Sequence, residues 1–169
     1  MTNTKGQSPC AVASYLLGQC SVTAWDVPAI TPDQHYSGPQ SPPYANDCLC
    51  SSVAYNLMSA CGLCQQAPVL ASWPTWSTNC TRHVIPQGRW TMSIPSGTSV
   101  PAWAYVTPDS MGGTFSPTIA QGFTCTFGSS LIYPSFDSIN FFLGRRSLSR
   151  VDVNSYSNLF CPYTHWDGR

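Results

Sequence analysis

Four cysteines bracket ten residues of helical character in the segment CLCSSVAYNLMSACGLC, which spans residues 48–64. Cysteines at such spacings serve three kinds of chemistry in proteins: thiolate ligation of zinc, dithiol–disulfide exchange, and structural disulfide bonds. Which of the three applies depends on where the intervening helix places the sulfur atoms, because each chemistry needs a different separation between them.

A zinc site would use the C-x-C pair at the start of this segment and the C-x-x-C pair at its end, since both spacings occur in zinc proteins. The ten helical residues between the pairs span about 15 Å, so one ion cannot contact both ends. The segment also has none of the basic residues that usually accompany zinc ribbons. We therefore predict no metal at these cysteines.

A redox site would use CGLC at residues 61–64 as a thioredoxin-type motif. Redox-active pairs lie at the N-terminus of a helix, where the helix dipole lowers the pKa of the first thiol. This pair follows the predicted helix instead, at the end where the dipole raises the pKa of a thiol. The position of the motif argues against redox chemistry.

Structural disulfides are the interpretation that remains. Seven of the nine cysteines fall in the first 80 residues, a density typical of small proteins from oxidising compartments. Cys48 and Cys50 cannot easily pair with each other, so they should have different partners, and the connectivity stays open. Seven is an odd number, so one cysteine pairs with Cys125, with Cys161, with a residue outside this sequence, or with nothing. The seven candidates are Cys10, Cys20, Cys48, Cys50, Cys61, Cys64 and Cys80.

The first of these cysteines belongs to a helix predicted at about residues 9–19. Ser8 is suited to the N-cap, and Pro9 to the first helical position, where its missing N–H costs nothing. The segment 21–47 follows and contains five prolines, which preclude a regular element. Loops of this length are uncommon without a function or a covalent anchor, and cysteines stand at both ends of this one.

A second helix is predicted at about residues 48–61, with Asp47 or Ser51 as its N-cap and Gly62 as its C-terminal cap. Helices this short are marginal in isolation, so the two must pack together and be cross-linked. The sequence thus predicts a small disulfide-rich fold, mainly α with irregular loops, in which two short helices are joined to proline-rich extended segments. This prediction includes a small β element within residues 88–107.

The composition excludes several classes of protein. Only 8% of the residues are charged, against about 25% in ordinary globular domains, and the acidic residues are seven Asp with no Glu. The net charge is zero, so the chain lacks the excess of positive charge by which proteins bind nucleic acid or an anionic membrane. No stretch reaches the roughly 18 apolar residues of a membrane span. We therefore predict no nucleic-acid partner and no membrane span.

Cysteine density and scarce charge predict an extracellular or cell-surface protein. The sequon Asn79-Cys80-Thr81 makes Asn79 the candidate for N-linked glycosylation, in agreement with secretion. The first 20 residues do not resemble a signal peptide, because they lack a long apolar run after a basic start. Either the chain is cytosolic or its start is missing from this sequence, and the composition favours the second alternative.

The amino-acid composition and the hydrophobic pattern of the chain change at Gly122. Residues 122–169 hold four of the six Arg and sustain neither helical nor strand periodicity. We predict one cysteine-rich domain at residues 1–121, followed by an atypical tail that is poorly packed or disordered. The abrupt change also predicts that the tail arises from an intron read through in the gene model, or from an alternative ending.

Aromatic residues are the candidates for ligand binding. In WPTWSTNC, Trp73 and Trp76 have rings able to stack on a sugar, although two Trp beside an anchored cysteine also form a small core, which is the interpretation we favour. The three His are scattered, and no nucleophile elbow, P-loop or dinucleotide motif is present. The sequence therefore predicts no catalytic residue, no cofactor and no enzymatic activity.

Five separate motifs, in register along residues 3–121, resemble those of a single family. They are GQSPCAVASYLLGQC, HYSGP, NDCLCSSVAYNLMSACGLCQ, WPTWSTNC and IPSGTSVPAWAYV. The family is the cysteine-rich extracellular region of basidiomycete fungal membrane proteins whose function is uncharacterised. The resemblance implies an extracellular domain, and it brings no binding or catalytic residue with it.

A second resemblance is local. An Asp shortly before a C-x-C pair, followed by a helix and further cysteines, is similar to the fungal CFEM domain, a helical eight-cysteine module. Some CFEM domains bind haem through an Asp, which implies Asp47 as the matching residue here. The segment 73–80 has no counterpart in that pattern.

These observations together predict a non-enzymatic, secreted or cell-surface fungal module that serves sensing or adhesion. Its expected partner is a cell-wall glycan or a surface protein. The alternative is a CFEM-like module that binds haem or another small ligand.

Overall fold

A computed structural model of the chain describes residues 1–22 and 25–123. Nearly all of the predicted tail at 122–169 lies outside the described residues, so the predictions made for it stand as they were. Within the described part, the four α-helices are α1 (Pro9–Leu17), α2 (Ser52–Cys64), α3 (Trp73–Trp76) and α4 (Pro117–Gly122). Single 3-10 turns lie at Gly18–Cys20, Pro42–Tyr44, Ala102–Tyr105 and Asp109–Met111.

Irregular loops connect these helices, and no β-strand occurs in the described part of the chain. Three disulfides join Cys10 to Cys61, Cys20 to Cys48, and Cys50 to Cys80. The predicted fold class, a small disulfide-rich and mainly helical protein with irregular loops, is confirmed.

The helices begin where serine side chains cap them. The hydroxyl of Ser8 accepts a hydrogen bond from the backbone N–H of Ala11, and that of Ser51 accepts one from Val53. Each bond satisfies one of the backbone donors that a helix start leaves without a partner. Ser72 and Ser116 cap α3 and α4 in the same way.

The predicted bounds of the second helix were wrong at both ends. The helix begins at Ser52 rather than at 48, because Asn46 holds the preceding residues in a turn through bonds from the backbone N–H groups of Leu49 and Cys50. At the other end Gly62 is not a cap, and the helix continues to Cys64. An added Cβ at Gly62 would lie 3.4 Å from the Cβ of Ala67 and 3.5 Å from the Tyr36 ring, both ordinary contact distances.

The core is built around α2, whose residues from Ser52 to Gly62 are all buried. A helix buried on every side needs neighbours on every side, and it needs few charged residues of its own. Helix α1 supplies one neighbour through Val12, Ala13 and Leu16. The turn Ala102–Tyr105 supplies another.

The small β element predicted within residues 88–107 is absent, and that prediction was wrong. Pro95 and Pro101 cannot donate to a strand ladder. The backbone carbonyls of Ala104 and Val106 instead accept hydrogen bonds from Nδ2 of the fully buried Asn56, at 2.9 and 2.8 Å. The Asn56 side chain of α2 thus supplies the hydrogen-bond donors that a neighbouring strand would have supplied.

Replacement of Gly38 by alanine tests how closely the loops pack on the helices. A Cβ at this position would lie 1.9 Å from the backbone oxygen of Trp76, so the loop or α3 would have to move. We expect Gly38→Ala to lower the free energy of unfolding by about 1–3 kcal/mol, as overpacking does. Urea unfolding with the disulfides intact measures this change.

Gly18→Ala is the matched control for that substitution. Gly18 has right-handed backbone angles, and an added Cβ meets no atom within 4 Å. Its effect on stability should stay within about 0.5 kcal/mol. Equal effects of the two substitutions would contradict the packing described for Gly38.

Candidate functional site

A long exposed and mostly irregular segment lies between α1 and α2, and we call residues 26–47 the 26–47 loop. Apart from the turn Pro42–Tyr44 it has no regular structure. Its exposed side chains are Asp26, Pro28, Ala29, Thr31, Pro32, Asp33, Gln34, His35, Ser37, Gln40, Pro42, Pro43, Tyr44 and Asp47. Three of them are Asp, and the loop contains no Lys or Arg; the others are mostly hydroxyl, amide, imidazole and proline side chains.

Several contacts fix the base of this loop to the helices. The Cys20–Cys48 disulfide holds its two ends together across 28 residues. Val27 is 1% exposed, and its backbone N–H donates to the hydroxyl of Ser14 in α1 at 2.9 Å. Further along, the backbone oxygen of Pro39 accepts a hydrogen bond from Asn79 Nδ2 at 2.8 Å. The loop is therefore attached at its ends and at two internal points.

Gln65, the residue that caps the end of α2, makes the third internal attachment. Its Nε2 donates to the Tyr36 hydroxyl at 2.6 Å, and its Oε1 accepts from the backbone N–H of Ile30 at 2.9 Å. The Tyr36 hydroxyl in turn donates to the backbone oxygen of Pro28 at 2.5 Å. The neutral side chains of Gln65 and Tyr36 thus hold residues 28–36 in a closed bend of the loop.

This closed part of the loop forms an open groove of about 540 Å³. Its lining residues are Pro28, Ala29, Ile30, Asp33, Gln34, His35 and Tyr36. The hydroxyl of Thr31 donates to the Asp33 carboxylate at 2.5 Å, and this bond is the main reason that the pKa of Asp33 is lowered. The groove therefore offers one carboxylate, an imidazole, an amide and a partly buried aromatic ring beside apolar Pro and Ile.

The Asp47 side chain, implied as a haem ligand by the CFEM resemblance, lies at the far end of the loop. It is 52% exposed, and its Oδ1 lies 2.7 Å from Nδ1 of His83. This bond ties the turn before α2 to the residues that follow Cys80. One of the two carboxylate oxygens of Asp47 is thus bonded to His83, and the haem-binding role stays a prediction.

The two tryptophans of WPTW differ in exposure. Trp76 is 2% exposed, its Nε1 donates to the backbone oxygen of Leu49 at 2.8 Å, and its ring meets Tyr55 edge-on. Its ring therefore has no face open to a ligand. Trp73 packs on the other side of Tyr55, with 5.4 Å between ring centroids, and remains partly exposed.

The sequon residue Asn79 is partly exposed, and its amide is already used in attaching the 26–47 loop to the end of α3. The middle residue of the sequon, Cys80, is bonded to Cys50. Glycosylation of Asn79 stays a prediction.

The cysteines settle the question raised by the segment 48–64 for the described part of the chain. As predicted, Cys48 and Cys50 have different partners, and the two helices are cross-linked. Cys61 is bonded to Cys10 rather than to its CGLC neighbour, and Cys64 is disulfide-bonded as well. The described residues contain no cluster of three or more groups that could hold a metal ion.

No helix in the described part of the chain is long and apolar enough to cross a membrane. No family model, no curated protein and no solved structure matches the chain.

Gln65 is the residue of this site that sequence reasoning missed. It follows the cysteine motif directly and carries no charge, so only its contacts reveal its role. Tyr36 was noticeable as an aromatic residue in a polar loop, but nothing in the sequence pairs it with Gln65.

Alkaline titration tests the environment of Tyr36. Burial is the main cause that raises its pKa above the ordinary value of 10.0, while the bond from Gln65 opposes the shift. A tyrosine whose pKa is raised by folding contributes stability below about pH 10 that is lost as the pH rises through the folded-state value. We expect the free energy of unfolding to fall in this alkaline range, and part of the fall to disappear in Tyr36→Phe.

Tyr55 and Tyr105 have their pKa raised by burial as well, so they account for the part of the alkaline loss that remains in that variant. Tyr44→Phe, at a position that is 71% exposed, is the control and should leave the alkaline loss unchanged. The phenolate absorbance of the folded protein gives the titration directly. If Tyr36→Phe leaves the alkaline loss of stability unaltered, the Tyr36 hydroxyl is not buried as described.

Proposed function

We propose that this protein is a non-enzymatic, extracellular or cell-surface recognition module whose 26–47 loop binds a neutral glycan of the cell wall. The groove lined by residues 28–30 and 33–36 is the binding surface in this proposal. The role served is sensing or adhesion, in keeping with the resemblance of residues 3–121 to extracellular regions of fungal membrane proteins.

The observation that carries the proposal is that the 26–47 loop is long and exposed yet fixed at its base. Long loops without secondary structure in compact domains are usually either functional or disordered. This one is attached by the Cys20–Cys48 disulfide, by hydrogen bonds that Ser14 and Gln65 accept from its backbone, and by one that Asn79 donates to it. Exposed loops on a rigid scaffold are where proteins place binding residues.

The side chains of the groove favour a ligand rich in hydroxyl groups. Gln34 and His35 are exposed hydrogen-bonding groups, and Ile30 and Tyr36 supply apolar contact beside them. The 26–47 loop carries three Asp and no Lys or Arg, so a polyanionic partner would be repelled there. A loop already held in shape also loses less conformational entropy when a ligand binds.

The disulfides support the proposed location. Three are present in the described residues, and such bonds persist in oxidising environments and are rare in the cytosol. Their presence is compatible with secretion or display at the cell surface. Fungal origin and glycosylation at Asn79 belong to the proposal only.

Retention on insoluble wall polysaccharides, such as chitin and β-glucan, tests the proposal with protein made in a secretory host. We expect the unsubstituted protein to be retained and the variants Gln34→Ala and His35→Ala to be retained less. Loss of one net hydrogen bond corresponds to about a two- to tenfold drop in affinity. Each variant must unfold at the same urea concentration as the parent.

Gln40→Ala is the matched control, because Gln40 is exposed in the same loop and does not line the groove. Its retention should equal that of the unsubstituted protein. Absence of retention on every polysaccharide, or equal losses for groove and control variants, would contradict glycan binding by the groove. In that case, a visible absorption band with hemin that is lost in Asp47→Ala would support the haem-binding alternative instead.

A further inference from the structure

The hydrogen bonds around Gln65 connect the proposed binding groove to the disulfide between α1 and α2. Nε2 of Gln65 lies 3.2 Å from Sγ of Cys61 and 3.6 Å from Sγ of Cys10, within reach of both sulfurs. The same amide donates to the Tyr36 hydroxyl, while its oxygen accepts from Ile30. One side chain thus contacts the disulfide with its nitrogen and the groove with both of its polar atoms.

From this arrangement we infer that Gln65 is the positioning residue of the groove, which it shapes by holding Ile30 and Tyr36 against the Cys10–Cys61 disulfide. The inference rests on the proposed function in so far as it treats the groove as the binding surface. The bonds themselves are properties of the protein without a ligand.

Three features make Gln65 suited to this role. It follows the last residue of α2, and its backbone N–H caps the helix by donating to Cys61, Gly62 and Leu63 carbonyls, so its backbone is fixed. The sulfur contacts then limit the orientations of its amide. An amide also combines one acceptor with two donor hydrogens, so it can hold Ile30 and Tyr36 at the same time.

Tyr36 extends the hydrogen-bond network from Gln65 to Pro28, near the start of the 26–47 loop. Its hydroxyl accepts from Gln65 and donates to the Pro28 backbone oxygen, which uses both capacities of a phenol. Its ring lies beside Gly62 of α2, where an added Cβ would make an ordinary contact with the ring at 3.5 Å.

Amide hydrogen exchange at Ile30, followed by NMR on the unliganded protein, tests this inference. Gln65→Leu removes both polar atoms, and we expect the exchange rate of the Ile30 N–H to rise roughly fivefold, as loss of one net hydrogen bond predicts. Gln65→Glu keeps an acceptor oxygen for Ile30 and should restore protection to within about twofold of the parent.

This rescue separates positioning from a general structural role, because a residue that only filled space would be replaced as well by Leu as by Glu. Gln40→Leu, in the same loop but outside the network, should leave Ile30 unchanged. If Gln65→Leu is too unstable to fold, Gln65→Asn, whose amide is too short to reach, should raise exchange at Ile30 while Gln65→Glu does not.

Two results would overturn the inference: unchanged exchange at Ile30 in Gln65→Leu, or a rise in Gln65→Glu as large as in Gln65→Leu. Neither measurement contains a glycan. A protein that shows the expected exchange pattern but is not retained on polysaccharide would refute the proposed function and leave the positioning role intact.

Discussion

The disulfide between Cys10 and Cys61 is the interaction on which the rest of the structure depends, because it joins the two helices that make the core. Helix α1 alone has nine residues and α2 thirteen, lengths at which an isolated helix is marginal. When they are cross-linked and packed together, the two helices bury an apolar interior. The end of α2 then positions Gln65 in contact with the 26–47 loop.

The four cysteines of the other two disulfides lie outside the α-helices. Cys20–Cys48 has a sequence separation of 28 and closes a mostly irregular segment, whereas Cys50–Cys80 has a separation of 30 and closes the segment that contains α2 and α3. In the chain-entropy view, each such closure stabilises the fold by roughly 2–4 kcal/mol, since it limits the unfolded chain. A domain of this size has a modest core, so bonds of this kind decide whether its loops are ordered. An exposed loop can then keep a defined groove.

Features set by neighbouring residues could be predicted from the sequence, and features set by distant ones could not. The cap at Ser8 and the divergent partners of Cys48 and Cys50 follow from local geometry, and they were predicted; Ser51 was one of the two caps predicted for the second helix. The predicted end of α2 was wrong because the helix continues through Gly62 to Cys64. The predicted β element is absent because Asn56 donates to the backbone carbonyls of Ala104 and Val106, where a strand partner would have donated. Gln65 has no local signature, since its role appears only once α2 and the 26–47 loop are brought together.

Disulfide mapping is the measurement that tests this account most directly. Protein from a secretory host would be alkylated without reduction and digested at acid pH, where thiol–disulfide exchange is suppressed because thiolates are scarce. Mass spectrometry of the linked peptides should then show Cys10 joined to Cys61, Cys20 to Cys48, and Cys50 to Cys80. A peptide in which Cys61 is joined to Cys64, or alkylation of both Cys10 and Cys61, would contradict the central role given to the bond between the helices.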